Sequence, residues 1–160
     1  MPEKHDQMIT ECTEAIRLDP NDATAYNDRG WAWLSIGDFD RAMKDITRAI
    51  ELAPSLAVAW ANRGNAWFTQ GEYDRAIKDY DEAIRLDPRL VVAYLHRGLA
   101  KQAGREVDPA TEDFNMAIRL DPNFARGYAA RAFARLSKGD QAGAENDFAK
   151  AEELGYRRPS

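Results

Sequence analysis

His5, His96 and Cys12 are the side chains of this 160-residue sequence best suited to metal ligation or nucleophilic chemistry, and nothing in the spacing gives any of them a partner. A single cysteine excludes an internal disulfide and any cysteine-rich zinc site. No HExxH, CxxC or GxxxxGK[ST] segment occurs. The nearest approach to a phosphate loop is Gly98 to Arg105, where both glycines fall at places that helix packing and a helix turn require. Asp79, Asp81 and Glu82 lie beside Lys78 and Arg85, the spacing of a solvated helix face with i,i+4 pairs rather than of a calcium loop. The residue types predict no catalytic group, no metal and no cofactor.

Charge narrows the partner class. There are 27 acids against 22 bases, a formal charge of −5, which disfavours non-specific binding to nucleic acid or an anionic membrane. No stretch approaches the ~20 apolar residues of a membrane span. Met1 to Thr10 holds Lys4 as its one Lys or Arg and no apolar run, so no secretory signal is read and a cytoplasmic location is expected.

The elements that position these residues are set by a repeat. Pro20, Pro54, Pro88 and Pro122 are 34 residues apart, and Gly30, Gly64 and Gly98 keep the same interval. The period divides the chain into a leading fragment, 1–22, and four repeats, 23–56, 57–90, 91–124 and 125–158. Within the second repeat, Trp60, Gly64 and Trp67 share one helical face. Gly71 then interrupts, and Tyr73, Ala76, Ile77, Tyr80, Ala83, Ile84 and Leu86 form a second helical stripe that ends at Asp87-Pro88. Each repeat is therefore expected to be an αα-hairpin, with Ser55 and Asn123 as helix N-caps. In the third repeat Gly104 comes one place early, and Asp108-Pro109 predicts a wider turn and a later helix start.

The recurring set Trp60, Arg63-Gly64, Trp67, Ala76, Tyr80, Ala83 and Pro88 resembles the tetratricopeptide repeat (TPR) family. The first repeat matches through Tyr26, Gly30, Trp33, Ala42, Ala49 and Pro54, and the third through Tyr94, Gly98, Ala110, Phe114, Ala117 and Pro122. The fourth is looser, with Tyr156 where proline is expected. The resemblance implies an all-α, right-handed superhelical solenoid of about nine helices forming one domain. It also implies a concave surface, lined by first helices, that takes up peptides or helices from partner proteins.

At the two ends the pattern changes. Residues 5–18 read as a second helix lacking its own first helix, with Met8, Ile9, Cys12 and Ala15 partly uncovered. That suggests either a segment cut from a longer array or an edge that pairs with another copy of the chain. At the other end Glu145 and Glu152 replace the apolar residues of earlier repeats, as a polar cap would, and Gly155 supplies a helix stop.

Two constellations carry the functional reading. The seventh place of every repeat is arginine (Arg29, Arg63, Arg97, Arg131) and the twenty-third is aspartate (Asp45, Asp79, Asp113, Asp147). An Arg–Asp ladder follows, structural in role, with pairing within a repeat, between successive repeats, or both left open. The concave places are filled by Asn27, Trp31, Leu34, Val58, Asn62, Asn65, Phe68, Val92, Leu95, Leu99, Arg126 and Phe133, of which Arg126 alone is charged. The Lys/Asn/Arg clamp that family relatives use for acidic chaperone tails is matched here only by Asn62. An apolar or amphipathic segment is the expected ligand, with Asn27, Asn62 and Asn65 available to its backbone. The leading reading is a non-catalytic scaffold. Self-assembly through the N-terminal helix, or a regulatory domain of a larger enzyme or secretion protein, are the alternatives.

Overall fold

Pro20, Pro54, Pro88 and Pro122, with Gly37, Gly71, Gly104 and Gly139, fall in the turns between helices, and a computed structural model, which describes residues 2–158, shows nine helices among them. They are α1 (Pro2–Leu18), α2 (Ala23–Ser35), α3 (Phe39–Leu52), α4 (Ala57–Thr69), α5 (Tyr73–Leu86), α6 (Val91–Ala103), α7 (Val107–Leu120), α8 (Ala125–Ser137) and α9 (Gln141–Glu153). No described residue is in a strand. Two compact units result, Met1–Pro88 and Arg89–Ser160. In the first, the hairpins α2–α3 and α4–α5 follow one another, with α1 packed on α2; in the second, α6–α7 is followed by α8–α9.

Alanine makes the close packing possible. Ala42, Ala76, Ala110 and Ala144, one per repeat, have no exposed surface, and neither do Ala49, Ala83, Ala117 and Ala151 two turns later on the same helices. Larger side chains then fill the gaps between helices. Ile46 and Ile50 pack with Ala59, Tyr26, Trp33 and Trp60 in the first unit. Leu95 and Phe114 pack with Ala130 and Ala134 in the second. Gly98 shows how tight the approach is: a Cβ there would sit 2.5 Å from Phe114 Cε1 and 3.1 Å from the Ala110 carbonyl oxygen.

The caps differ from those expected. Asp22, Asp38 and Asp140 accept hydrogen bonds from the backbone N–H groups of Ala25, Arg41 and Gly143. Ser55 and Asn123 do not cap, because α4 and α8 start two residues after each of them, and Leu56 and Phe124 hold the cap positions without a side-chain bond. Hydrophobic packing of Leu56 and Phe124 onto the cores fixes these entries instead.

The third hairpin also corrects the sequence reading. Its second helix begins at Val107, the same place as Phe39 and Tyr73 in their repeats, so the turn is not wider. The left-handed backbone position that Gly37, Gly71 and Gly139 occupy elsewhere (φ 84°, 76° and 80°) is taken here by Arg105 at φ 69°. A non-glycine residue in that conformation costs about 1 kcal/mol or more. Arg105→Gly is therefore expected to stabilise the protein by about 1 kcal/mol in urea denaturation, while Gly71→Arg should cost a similar amount.

At the end of α9, Gly155 (φ 92°) turns the chain, and the Tyr156 and Gly155 N–H groups bond to Ala151 and Glu152 carbonyls. The guanidinium of Arg158 then pairs with Glu145 and Glu152 and lies 4.0 Å above the Phe148 ring.

Candidate binding surface

Each arginine of the ladder is placed on a first helix and each aspartate on the second helix of the same hairpin. Arg29, Arg63, Arg97 and Arg131 grip Asp45, Asp79, Asp113 and Asp147 with both carboxylate oxygens, at 2.5–3.0 Å. Of the pairings the sequence leaves open, the one within the repeat is present in all four. Parallel double bonds of this kind hold a side chain in one orientation as well as one place. The aspartate side chains are 5–7% exposed and the arginines 17–21%. Beneath each guanidinium lies the aromatic ring three residues earlier, Tyr26, Trp60, Tyr94 or Tyr128, at 4.8–5.6 Å. Hydrogen bonding to Asp45 and to Asp147 raises the pKa of Arg29 and of Arg131, against the opposing effect of burial.

Two of the ladder arginines also reach neutral side chains outside their own repeat. Arg29 also donates to Thr13 Oγ1 (3.1 Å), and Arg131 to Asn115 Oδ1 (2.8 Å). A second set of cations was not anticipated from the sequence. Lys101 and Arg135 reach Asp113 and Asp147 at 2.8 and 2.9 Å, one turn after the ladder arginines. In the first two repeats that place holds Trp33 and Trp67, over which Arg41 and Arg75 stack at 4.2 and 4.8 Å. The legible signal is an exchange. Where the first helix carries tryptophan the second has arginine as its third residue, and where it carries Lys101 or Arg135 the matching places are Pro109 and Gly143.

The surface strip lies on the opposite side of the first helices. Within each unit these helices are neighbours, α2 against α4 and α6 against α8. Trp31 and Val58 in the first unit, and Val92, Phe133 and Leu136 in the second, remain 38–42% exposed, and Arg126 of the second unit is exposed as well. Leu34, Asn65, Phe68 and Leu99 are half-buried. Trp31 is also met by the ring of His5 from α1, at 5.5 Å between centroids.

Three of the expected surface residues are not at the surface. Leu95 is 1% exposed and belongs to the core of the second unit. Asn27 and Asn62 are buried, and the Asn62 amide donates to Asn27 Oδ1 at 2.9 Å while the Asn27 amide donates to Asp28. Their polar groups satisfy each other across α2 and α4, because a buried amide without a partner would cost roughly 1–3 kcal/mol. Asn65 stays half-buried, its Oδ1 accepting from the Tyr80 hydroxyl at 2.8 Å, and burial pushes that phenol's pKa up.

Among the described residues no group of three His, Cys, Asp or Glu side chains is arranged to hold a metal ion. Burial, aided by Arg126, pushes the His96 imidazole down to about 4, so it is neutral at pH 7. Burial also raises the pKa of the Cys12 thiol, which disfavours the nucleophilic thiolate. No helix of the described residues is long and apolar enough to cross a membrane.

Models of the tetratricopeptide repeat match residues 23–56 and 57–90. No curated protein sequence matches the chain. Among solved structures, a crystal structure of MamA is 28% identical with a TM-score of 0.79, covering 94% of this chain and 88% of that one. TTC0263, described as a thermophilic TPR protein in Thermus thermophilus, is 21% identical with a TM-score of 0.86, over 96% of this chain and 84% of that one. PilF of Pseudomonas aeruginosa is 18% identical with a TM-score of 0.87, over 98% and 71%. The last two likenesses are likenesses of fold.

Proposed function

We propose that this chain, a member of the tetratricopeptide repeat family, is a non-catalytic protein-binding module that takes an apolar or amphipathic partner segment on its first helices. One observation carries the reading. Of the seven large apolar side chains most exposed among the described residues, five fall on first helices, at matching helical places within each unit: Trp31 and Val58 on α2 and α4 of the first, and Val92, Phe133 and Leu136 on α6 and α8 of the second. The other two, Leu18 and Ile36, stand at helix ends. Apolar side chains gathered on one face, with a single charge among them, mark an interaction surface rather than scattered exposure. Covering each large side chain contributes up to roughly 1.5–3 kcal/mol. Asn65 keeps its amide nitrogen for a partner's backbone carbonyl, since its oxygen is already bonded to Tyr80.

Selection of 16-residue peptides from a random library tests this. The enriched sequences should carry apolar residues at i, i+3 or i+4, and i+7. Trp31→Glu/Val58→Glu in the first unit, or Val92→Glu/Phe133→Glu in the second, should weaken them at least tenfold while circular dichroism stays unchanged. Peptides that bind both double variants as tightly as the parent would refute the assignment.

A further inference from the structure

The α2–α3 hairpin has a second concavity, and its lining differs from the apolar strip in both position and chemistry. The cavity, about 870 Å³, is bordered by Tyr26, Arg29 and Trp33 of α2 and by a stretch of α3 from Arg41 to Glu51. On α2 these three residues lie roughly 130° around the helix from Asn27, Trp31 and Leu34, taking ~100° per residue, so the two surfaces occupy different faces.

Four bases, Arg29, Arg41, Lys44 and Arg48, face two acids, Asp45 and Glu51, in this lining, although the whole chain carries −5. Their engagements differ. Arg29 is held by Asp45. Arg41 lies flat on the Trp33 ring at 4.2 Å and meets Asp38 at 2.9 Å. Arg48 has one exposed i,i+3 contact, to Glu51 at 3.1 Å, and exposed pairs of that kind contribute about 0–1 kcal/mol. Lys44 is exposed and has no ion pair among the described residues. Lys44 and Arg48 lie one turn apart on α3 and are free to turn toward an incoming anion.

We infer that this cleft binds an acidic peptide segment of a partner protein, with Lys44 and Arg48 taking its carboxylates and Tyr26 and Trp33 receiving its apolar stems. The occupant follows from the two kinds of wall. A free phosphate would use the cations and leave uncontacted the parts of Tyr26 and Trp33 that border the cavity beside the guanidinium groups of Arg29 and Arg41. A nucleic-acid backbone or an anionic membrane would bring a long run of negative charge against Asp45, Glu51 and the net charge of the chain. A short acidic peptide with aromatic or aliphatic residues among its carboxylates satisfies both walls at once. The proposal is independent of the apolar strip, which lies on the other face.

The test uses a fluorescein-labelled ten-residue peptide with six Glu or Asp and two Phe residues, and its Gln/Asn counterpart as control. At low salt the acidic peptide should bind and the neutral counterpart should bind at least tenfold more weakly. Lys44→Glu/Arg48→Glu changes two exposed side chains and should weaken the acidic peptide at least tenfold. Trp31→Glu/Val58→Glu, on the strip, should leave that affinity unchanged. Failure of the acidic peptide to bind, or equal binding to the Lys44/Arg48 double variant, would overturn the inference. So would a short DNA duplex or phosphatidylserine vesicles binding as tightly with the same sensitivity to that variant. Loss of binding only in the strip variant would assign the peptide to the strip and also overturn it.

Discussion

Arg63→Met lowers the unfolding free energy by about 3 kcal/mol, the low end of the ~3–5 kcal/mol range for breaking one side of a buried ion pair. The low end applies because the arginine is 21% exposed whereas Asp79 is 7% exposed. The loss comes from the partner left behind. Asp79 then has no guanidinium on either oxygen and stays enclosed between α4 and α5. Arg63→Met/Asp79→Leu removes both charges and replaces them with apolar volume, so it should recover about half of the loss or more. Arg63→Met/Asp45→Leu behaves oppositely, because Asp45 belongs to Arg29 and its removal leaves a second group unpaired. That variant should be at least as unstable as the sum of its single substitutions. Chemical denaturation of the parent, the single variants and the two double variants measures both couplings. Equal recovery by Asp45→Leu and Asp79→Leu would contradict pairing within the repeat.

A larger effect is expected at Leu95. This side chain fills the space between α6, Ala110 and Phe114 of α7, and Ala130 and Ala134 of α8. Truncating a buried leucine to alanine costs about 2–5 kcal/mol. Leu95→Glu adds a carboxylate in an apolar site, so the loss should exceed about 4 kcal/mol and unfold the second unit at ambient temperature. Val92→Glu, three residues earlier on the same helix but 38% exposed, should change stability by less than about 1 kcal/mol. The ellipticity at 222 nm in urea titrations separates the two outcomes. Similar, small losses for both variants would show that Leu95 is a surface residue after all.

Leu95 and Val92 also show how far the sequence could be read. The 34-residue spacing of Pro20, Pro54, Pro88 and Pro122 set the helical repeats, because proline cannot continue a helix and each hairpin must close its own core. Which first-helix residues stay exposed depends on a neighbour 35 positions further on. Asn27 meets Asn62 and is buried as a hydrogen-bonded pair; Leu95 meets Ala130, whose small side chain leaves room for it. Periodicity gives the helical face but not the depth of the hole opposite. The ladder is visible as a residue pattern, yet the pattern alone does not say that each arginine meets the aspartate of its own hairpin, which the geometry shows. The turn before α7 departs from the sequence expectation for a different reason. Gly104 signals a turn, but the left-handed position falls on Arg105, and local propensity yielded to the packing of Val107 against the core.

The binding surface is tested most directly by methyl NMR of the protein with a selected amphipathic peptide. Val58, Val92, Leu99 and Leu136 report from the first helices, and Met43, Ile77, Ile84 and Met116 from the second. The account predicts saturable shifts confined to first-helix methyls, with Trp31→Glu/Val58→Glu or Val92→Glu/Phe133→Glu abolishing them. Shifts concentrated on the second-helix methyls, or unchanged in both double variants, would contradict it.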